Sequence, residues 1–329
     1  MARLSIGALA GLLMGLVAAG SAQAADKVVF GTNWKAQAEH GGYYQAVAAG
    51  IYAKYGLDVT IRPGGPTVNH PQLLAAGKID FNMGGNGYGA INYVAASVPV
   101  VTVASIFQKD PQVLIAHEGA GVTDVASLKG RPIMISTAAR NEYWQWLKAA
   151  HGFTDAQVRT YTFNLGPFLA DPKAVQQGYV TSEPHAIAQQ GVKPVVLLLA
   201  DAGYDSYSTT IEARADMVQK NPDLVQRFVD ATIIGWRDYL NGDPTLANAL
   251  IKKDNPEITD DQLAFSIAAM RSNGIVDSGD AKTLGIGAMT DARWKSFFDT
   301  AVKAGVYPAT LDYKAAYTLA FVNKAVGLK

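Results

Sequence analysis

The 329-residue chain carries 28 basic and 28 acidic side chains, so its formal charge is zero, and 49% of its residues are apolar. Balanced charge with no Lys/Arg-rich block excludes the basic stripe of a nucleic-acid binder, and the apolar share is enough for a substantial core. The lack of any cysteine removes disulfides, thiolate metal sites and cysteine nucleophiles together.

Residues 1–24 read as a secretory signal peptide. Arg3 supplies the positive charge, residues 4–19 form an apolar run containing Leu12, Leu13 and Leu16, and Ala22-Gln23-Ala24 is a small-x-small cleavage site. The run is short for a membrane anchor, which needs about 20 apolar residues. The mature chain is expected to begin at Ala25 or Asp26. It has no cysteine for lipid attachment, so a soluble product in a Gram-negative periplasm is expected.

Strand and helix patterns then alternate. Residues 27–31 form a short apolar strand. Residues 42–55 are helical, with Gly56 placed to end the helix. Leu57, Val59 and Ile61 alternate with Asp58, Thr60 and Arg62, a strand pattern. A short helix is expected over 71–76, and strands over 79–83, 100–107, 113–117 and 131–136. A helix over 141–151 stops at Gly152, and a strand follows at 159–163. Asp171-Pro172 reads as a helix start. Strands at 179–182 and 195–199 flank a short helix at 185–190. Beyond Glu212 the pattern turns helical: a long helix from Asn221-Pro222 through Leu240, then 244–252, 259–272, 291–304 and 312–326.

Such alternation implies an α/β fold with two largely parallel sheets flanked by helices. The helical tail cannot build a sheet and must pack on an earlier one. One lobe is expected to take 26–108 plus 206–329 and the other the inserted segment 109–205, with crossings near 108–112 and 200–206. A cleft between two lobes is a favoured pocket position and suits closure on a ligand.

Three stretches carry a resemblance. The first is Asn33-Trp34 and His40-Gly41-Gly42-Tyr43, running on to Gly56-Leu57-Asp58-Val59. The second is Gly64-Gly65-Pro66, Leu73-Leu74-Ala75-Ala76-Gly77-Lys78-Ile79-Asp80 and Gly84-Gly85-Asn86. The third is Leu128-Lys129-Gly130-Arg131-Pro132-Ile133. In these the chain resembles the solute-binding proteins of ABC importers for thiamine pyrimidine precursors, whose relatives bind riboflavin, taurine, alkanesulfonates and nitrate. The resemblance implies the two-lobed (type II) periplasmic-binding-protein fold. It further implies a small ring-containing ligand, a monomer, and permease and ATPase subunits as partners. The yeast thiamine-pyrimidine synthase shares the opening motif, but its proposed chemistry relies on an iron site supported by a cysteine-rich motif that this chain lacks.

Within that frame each candidate residue has a ligand reading and a plainer one. Trp34 follows a strand end and can stack on a flat ring or cover the core. His40 can donate to a ligand or cap a helix. Tyr43 and Tyr44 occupy neighbouring helix positions, so only one can face a cleft. Asn86 and Tyr88 add an amide and an aromatic ring to a glycine-rich turn. Ser136 and Thr137 open a helix and can bind an anion or simply cap it. Glu183, at another strand end, can pair with an exocyclic amine and a protonated ring nitrogen or cap the helix after it. Phe163 and Tyr207 are weaker aromatic candidates. A carboxylate in a closed cleft would favour an amino-heterocycle over a sulfonate, nitrate or other small anion. Against an enzyme, and a secreted hydrolase in particular, the five histidines lack metal-ligand spacing and there is no Gly-x-Ser-x-Gly elbow. No cofactor or metal is expected.

Overall fold

The alternating pattern builds ten strands among the described residues, which in this computed structural model are 24–65 and 67–328. The expected leader, all but its last residue, lies outside them, as does Pro66 of the Gly64-Gly65-Pro66 turn. No described helix is long and apolar enough to cross a membrane.

The first sheet holds β1 (Asp26–Gly31), β2 (Leu57–Arg62), β3 (Phe81–Met83), β4 (Val100–Phe107) and β10 (Ser208–Arg214), in the order β2-β1-β3-β10-β4. The second holds β5 (Gln112–His117), β6 (Ile133–Ile135), β7 (Val158–Thr160), β8 (Val175–Tyr179) and β9 (Pro194–Leu198), in the order β7-β6-β8-β5-β9. In each sheet one strand is reversed: β10 pairs antiparallel with β3 and β4, and β5 with β8 and β9. Both reversed strands are the first that the chain lays down after it passes from one sheet to the other. They enter from the side where the two lobes meet, so they run against their neighbours.

The core of the first lobe is aromatic. Phe228, on the long helix Pro222–Asn241, stacks on Phe81 at 4.1 Å and on Tyr52 at 5.3 Å between ring centroids. Phe30 and Tyr43 close the cluster against Trp236.

Several expected elements come out differently. The helix expected over 42–55 is two helices, Gly41–Ala48 and Ile51–Lys54, because Gly50 takes φ 65° between them. No helix starts at Asp171. A short one, Gly166–Ala170, ends there, and the Asp171 carboxylate accepts from Lys173 N at 2.9 Å in a turn that leads into β8. That strand ends at Tyr179, where one had been expected to begin. The tail over 312–326 is not helical beyond a single turn, Tyr313–Ala316. Tyr317 instead bridges to Thr102, so the tail covers the exposed edge of β4, an edge that would otherwise invite pairing with another chain. Helix Gly87–Ala95 and strand β10 were not anticipated.

Candidate functional site

Open α/β sheets bind ligands beyond the carboxyl ends of their parallel strands, and here both sheets present those ends to one cleft of ≈ 280 Å³. Asn33 and Trp34 follow β1, Gly85 and Asn86 follow β3, and Ser136 follows β6. Phe163 lies just past β7, and Ser182 and Glu183 lie past β8. The reversed strands contribute from their starts, with Gln112 on β5 and Thr209 on β10.

Local packing sets the first wall. The Trp34 carbonyl accepts from Gly64 N at 3.0 Å and from Thr32 Oγ1 at 3.1 Å. A Cβ on residue 64 would lie 2.3 Å from the Thr32 carbonyl oxygen, so only glycine lets this turn brace the Trp34 loop. His40 Nε2 donates to Asn33 Oδ1 at 3.1 Å. Burial lowers the His40 pKa to about 3, so the ring is neutral. His40 therefore orients Asn33 and does not itself line the cleft, a correction to its expected ligand role.

Three further candidates stand elsewhere. Tyr43 is wholly buried between Phe30 and Trp236, because its helix turns that face into the core. Tyr88 is buried against Phe297 and Tyr307. Thr137 is exposed and is not among the residues that line the cleft. Of the weaker pair, Phe163 lines the cleft, whereas Tyr207 is buried beneath Arg293 and bonds Asp280.

Trp34, Asn86, Ser136 and Glu183 do meet in the cleft. Asn86 Nδ2 donates to Glu142 Oε2 at 2.9 Å, joining one lobe to the other, while its Oδ1 caps its own helix through Tyr88 N. The Ser136 N–H is taken by Gln177 Oε1 at 2.5 Å, and its hydroxyl accepts from Ala139 N at 3.3 Å. The Ser136 hydroxyl thus caps the following helix as an acceptor and keeps its own O–H to donate. The Glu183 carboxylate accepts from Tyr179 N at 2.8 Å, from Ser182 Oγ, and from Tyr161 OH at 3.4 Å. A carboxylate has about four acceptor positions, so the Oε1 side keeps capacity toward the cleft.

Two more carboxylates, Glu39 and Glu142, line the cleft and were not singled out from the sequence. Burial raises the pKa of each. Behind them Asp110 is pushed up to about 7, also chiefly by burial. Three glutamates and no lysine, arginine or histidine line the cleft among the described residues. Gln112 adds a buried carbonyl oxygen, Oε1, without a partner among those residues. At the rim Trp34 and Phe163, one from each lobe, approach to 5.6 Å between ring centroids with 37° between planes, and Phe163 is 60% exposed. The arrangement can grip a flat apolar face with its rings and accept hydrogen bonds from donors with its acids and amides.

The lobes are also tied beside the cleft. The Thr181 carbonyl accepts from Gln262 Nε2 at 2.9 Å and Ser266 Oγ at 2.6 Å, and the Thr181 hydroxyl donates to Glu39.

Comparison with known proteins places this geometry. A family model described as "NMT1/THI5 like" matches residues 37–247. The riboflavin-binding protein RibY of Chloroflexus aurantiacus is 24% identical over 292 residues, covering 85% of this chain and 81% of that protein. The periplasmic aliphatic sulphonate binding protein SsuA from Escherichia coli superposes with a TM-score of 0.67 at 15% identity, covering 88% of this chain and 91% of that one. The periplasmic nitrate-binding protein NrtA from Synechocystis PCC 6803 gives 0.59 at 16% identity over 88% and 84%. The fold is that of the periplasmic binding proteins.

Proposed function

This chain belongs to the NMT1/THI5-like family, and on that premise we propose that it is the periplasmic solute-binding component of an ABC importer whose cargo is a flat nitrogen heterocycle. The cargo enters the cleft between the lobes, is held unchanged, and passes to a permease driven by its ATPase. One observation carries the choice of cargo: the cleft pairs rim aromatics with three glutamates and, among the described residues, has no cationic side chain. Opposite charges attract and like charges repel most strongly where water is excluded. With no cation among the described lining residues to pair with an anion, such a lining disfavours sulfonate and nitrate, the ligands in the names of SsuA and NrtA. It suits the amino and ring N–H donors of a thiamine-type pyrimidine or a flavin, and the RibY relative supports that class. In this reading Trp34 and Phe163 cover the ring, Glu183 and Glu142 accept from its donors, Asn86, Gln112 and Ser136 fix its edge, and Glu39 helps hold the lobes shut.

A thermal-shift screen of the purified protein tests it. A ligand that binds only the folded state raises Tm by mass action. Aminopyrimidines and flavins are expected to raise Tm, while taurine, an alkanesulfonate and nitrate leave it unchanged. A rise with the anions alone would refute the cargo class. Product formation from any stabilising compound would refute the carrier role and favour an enzyme.

A further inference from the structure

Beside the cleft, wholly within the first lobe, lies a second cavity of ≈ 390 Å³. Asn33, Met83 and Gly85 are common to the walls of both. Its floor is polar and buried. Glu212 Oε2 accepts from Asn82 Nδ2 at 2.7 Å and from Tyr93 OH at 2.9 Å. His70 Nδ1 donates to the Thr32 carbonyl at 2.7 Å.

Two atoms in this floor have no partner among the described residues: His70 Nε2 and Asn82 Oδ1, on side chains 2% and 1% exposed. Because Nδ1 carries the ring proton, Nε2 is a lone-pair acceptor, and burial lowers the His70 pKa, which keeps the ring neutral. Asn82 Oδ1 is also an acceptor. A buried acceptor left unpaired is costly, so both call for a donor. No lysine or arginine lines the cavity among the described residues, which argues against a phosphate or carboxylate. Burial pushes the Glu212 pKa up to about 7, so this acid supplies no full counter-charge for an ammonium group near neutrality. Uncharged donors remain, and among them a hydroxyl can donate to these acceptors and also accept in return.

We propose that this second cavity is a side chamber of the binding cleft, which receives an uncharged, hydroxyl-bearing tail on the cargo through donors to His70 Nε2 and Asn82 Oδ1. The proposal rests on the ring-binding reading above and extends it from a ring to a ring with a polyol arm. The cleft alone falls just below the roughly 300–1,000 Å³ usual for small-molecule sites, and the chamber enlarges it into that range.

Gly89 offers a clean test. It lines the chamber but not the cleft, sits in helix Gly87–Ala95, and a Cβ there would meet nothing within 4 Å. Gly89→Leu therefore builds a branched side chain out from a lining position whose Cβ meets nothing, and Gly89→Ala is the control that adds the Cβ alone. Calorimetric titrations would compare riboflavin with lumiflavin, the same ring bearing a methyl in place of its polyol, and adenosine with 9-methyladenine. The wild type and Gly89→Ala are expected to prefer the tailed member of whichever pair binds by about tenfold or more, the size of one or two buried hydrogen bonds. Gly89→Leu should abolish that preference and leave binding of the bare ring unchanged. Equal affinity for tailed and bare rings, or equal loss of both in Gly89→Leu, overturns the chamber while sparing the ring reading. Failure of every ring to bind overturns the ring reading and the chamber with it.

Discussion

His40 and Tyr43 stand three positions apart in one motif, and the fold turns neither into the cleft. Neighbouring residues can share a motif and still serve different surfaces, because a helix rotates each successive side chain about its axis. His40 acts through Asn33, and Tyr43 fills the core. Trp34, Asn86, Ser136 and Glu183 were legible as cleft residues because each follows a strand end, which local pattern reveals. Glu142, Glu39 and Gln112 were not, since nothing in their own neighbourhood says that they face one another. Buried acids also leave a measurable mark. Glu212 and Asp110 are each pushed up to about 7 by burial, and Glu39 and Glu142 are raised in the same direction. Between the ordinary carboxylate range and about pH 7 the folded chain thus holds protons that the unfolded chain releases. Their contribution to stability is full below about pH 4 and is lost as pH rises through 7. Urea unfolding should accordingly show greater stability at pH 5 than at pH 8. Glu212→Gln should flatten that slope by roughly 3 kcal/mol at most. An unchanged slope in the variant would contradict the buried, protonated acid.

At the scale of elements, close packing decides what propensity leaves open. The long helix Pro222–Asn241 lies against helix Gly41–Ala48 through glycines on both sides. A Cβ on residue 42 would sit 2.2 Å from the Trp236 ring, and one on residue 235 would sit 2.3 Å from the Gly42 carbonyl oxygen. Gly235→Ala should gain up to about 1 kcal/mol in helix propensity and lose about 1–3 kcal/mol to overpacking against backbone that cannot swing aside. Net destabilisation by urea titration is expected, and a more stable variant would refute the tight approach. The same competition explains the elements that sequence reading missed. Helix Gly87–Ala95 begins with two glycines in three positions, poor helix formers rescued by the Asn86 cap. Strand β10 hides among threonines and a glutamate that are buried because Asn82 and Tyr93 satisfy the carboxylate. The tail over 312–326 has helical composition but gains more by covering the β4 edge.

Across the whole molecule, the two sheets are joined by two chain crossings and by packing and hydrogen bonds between the lobes. The chain crosses between Phe107 and Gln112 and again between Leu198 and Ser208. Arg293 braces both crossings, donating to the Gln108 carbonyl at 2.5 Å and the Ser206 carbonyl at 3.4 Å. On the far side of the cleft, Gln262 and Ser266 hold the Thr181 carbonyl. Each such bond is worth about 1 kcal/mol net. Replacing both residues with alanine should therefore shift the free protein roughly thirtyfold toward an open arrangement. Small-angle scattering would register a larger radius of gyration, and a curve identical to wild type would show that these bonds do not hold the lobes together.

By itself the amino-acid sequence determined the α/β class, the alternation that makes two sheets, the strand ends that reach the cleft between them, and the family. Those features are encoded locally, in the period of burial and in short motifs. Tertiary structure alone decided which side chains meet: the three glutamates drawn from positions 39, 142 and 183, the bonds on Thr181, and the second cavity that Gly89 lines. Hydrophobic periodicity tells a residue which side of its own sheet or helix to bury, but it carries no information about which distant segment will stand opposite. That is settled only when the packing of the entire chain, with its buried charges and unpaired acceptors, reaches its lowest free energy.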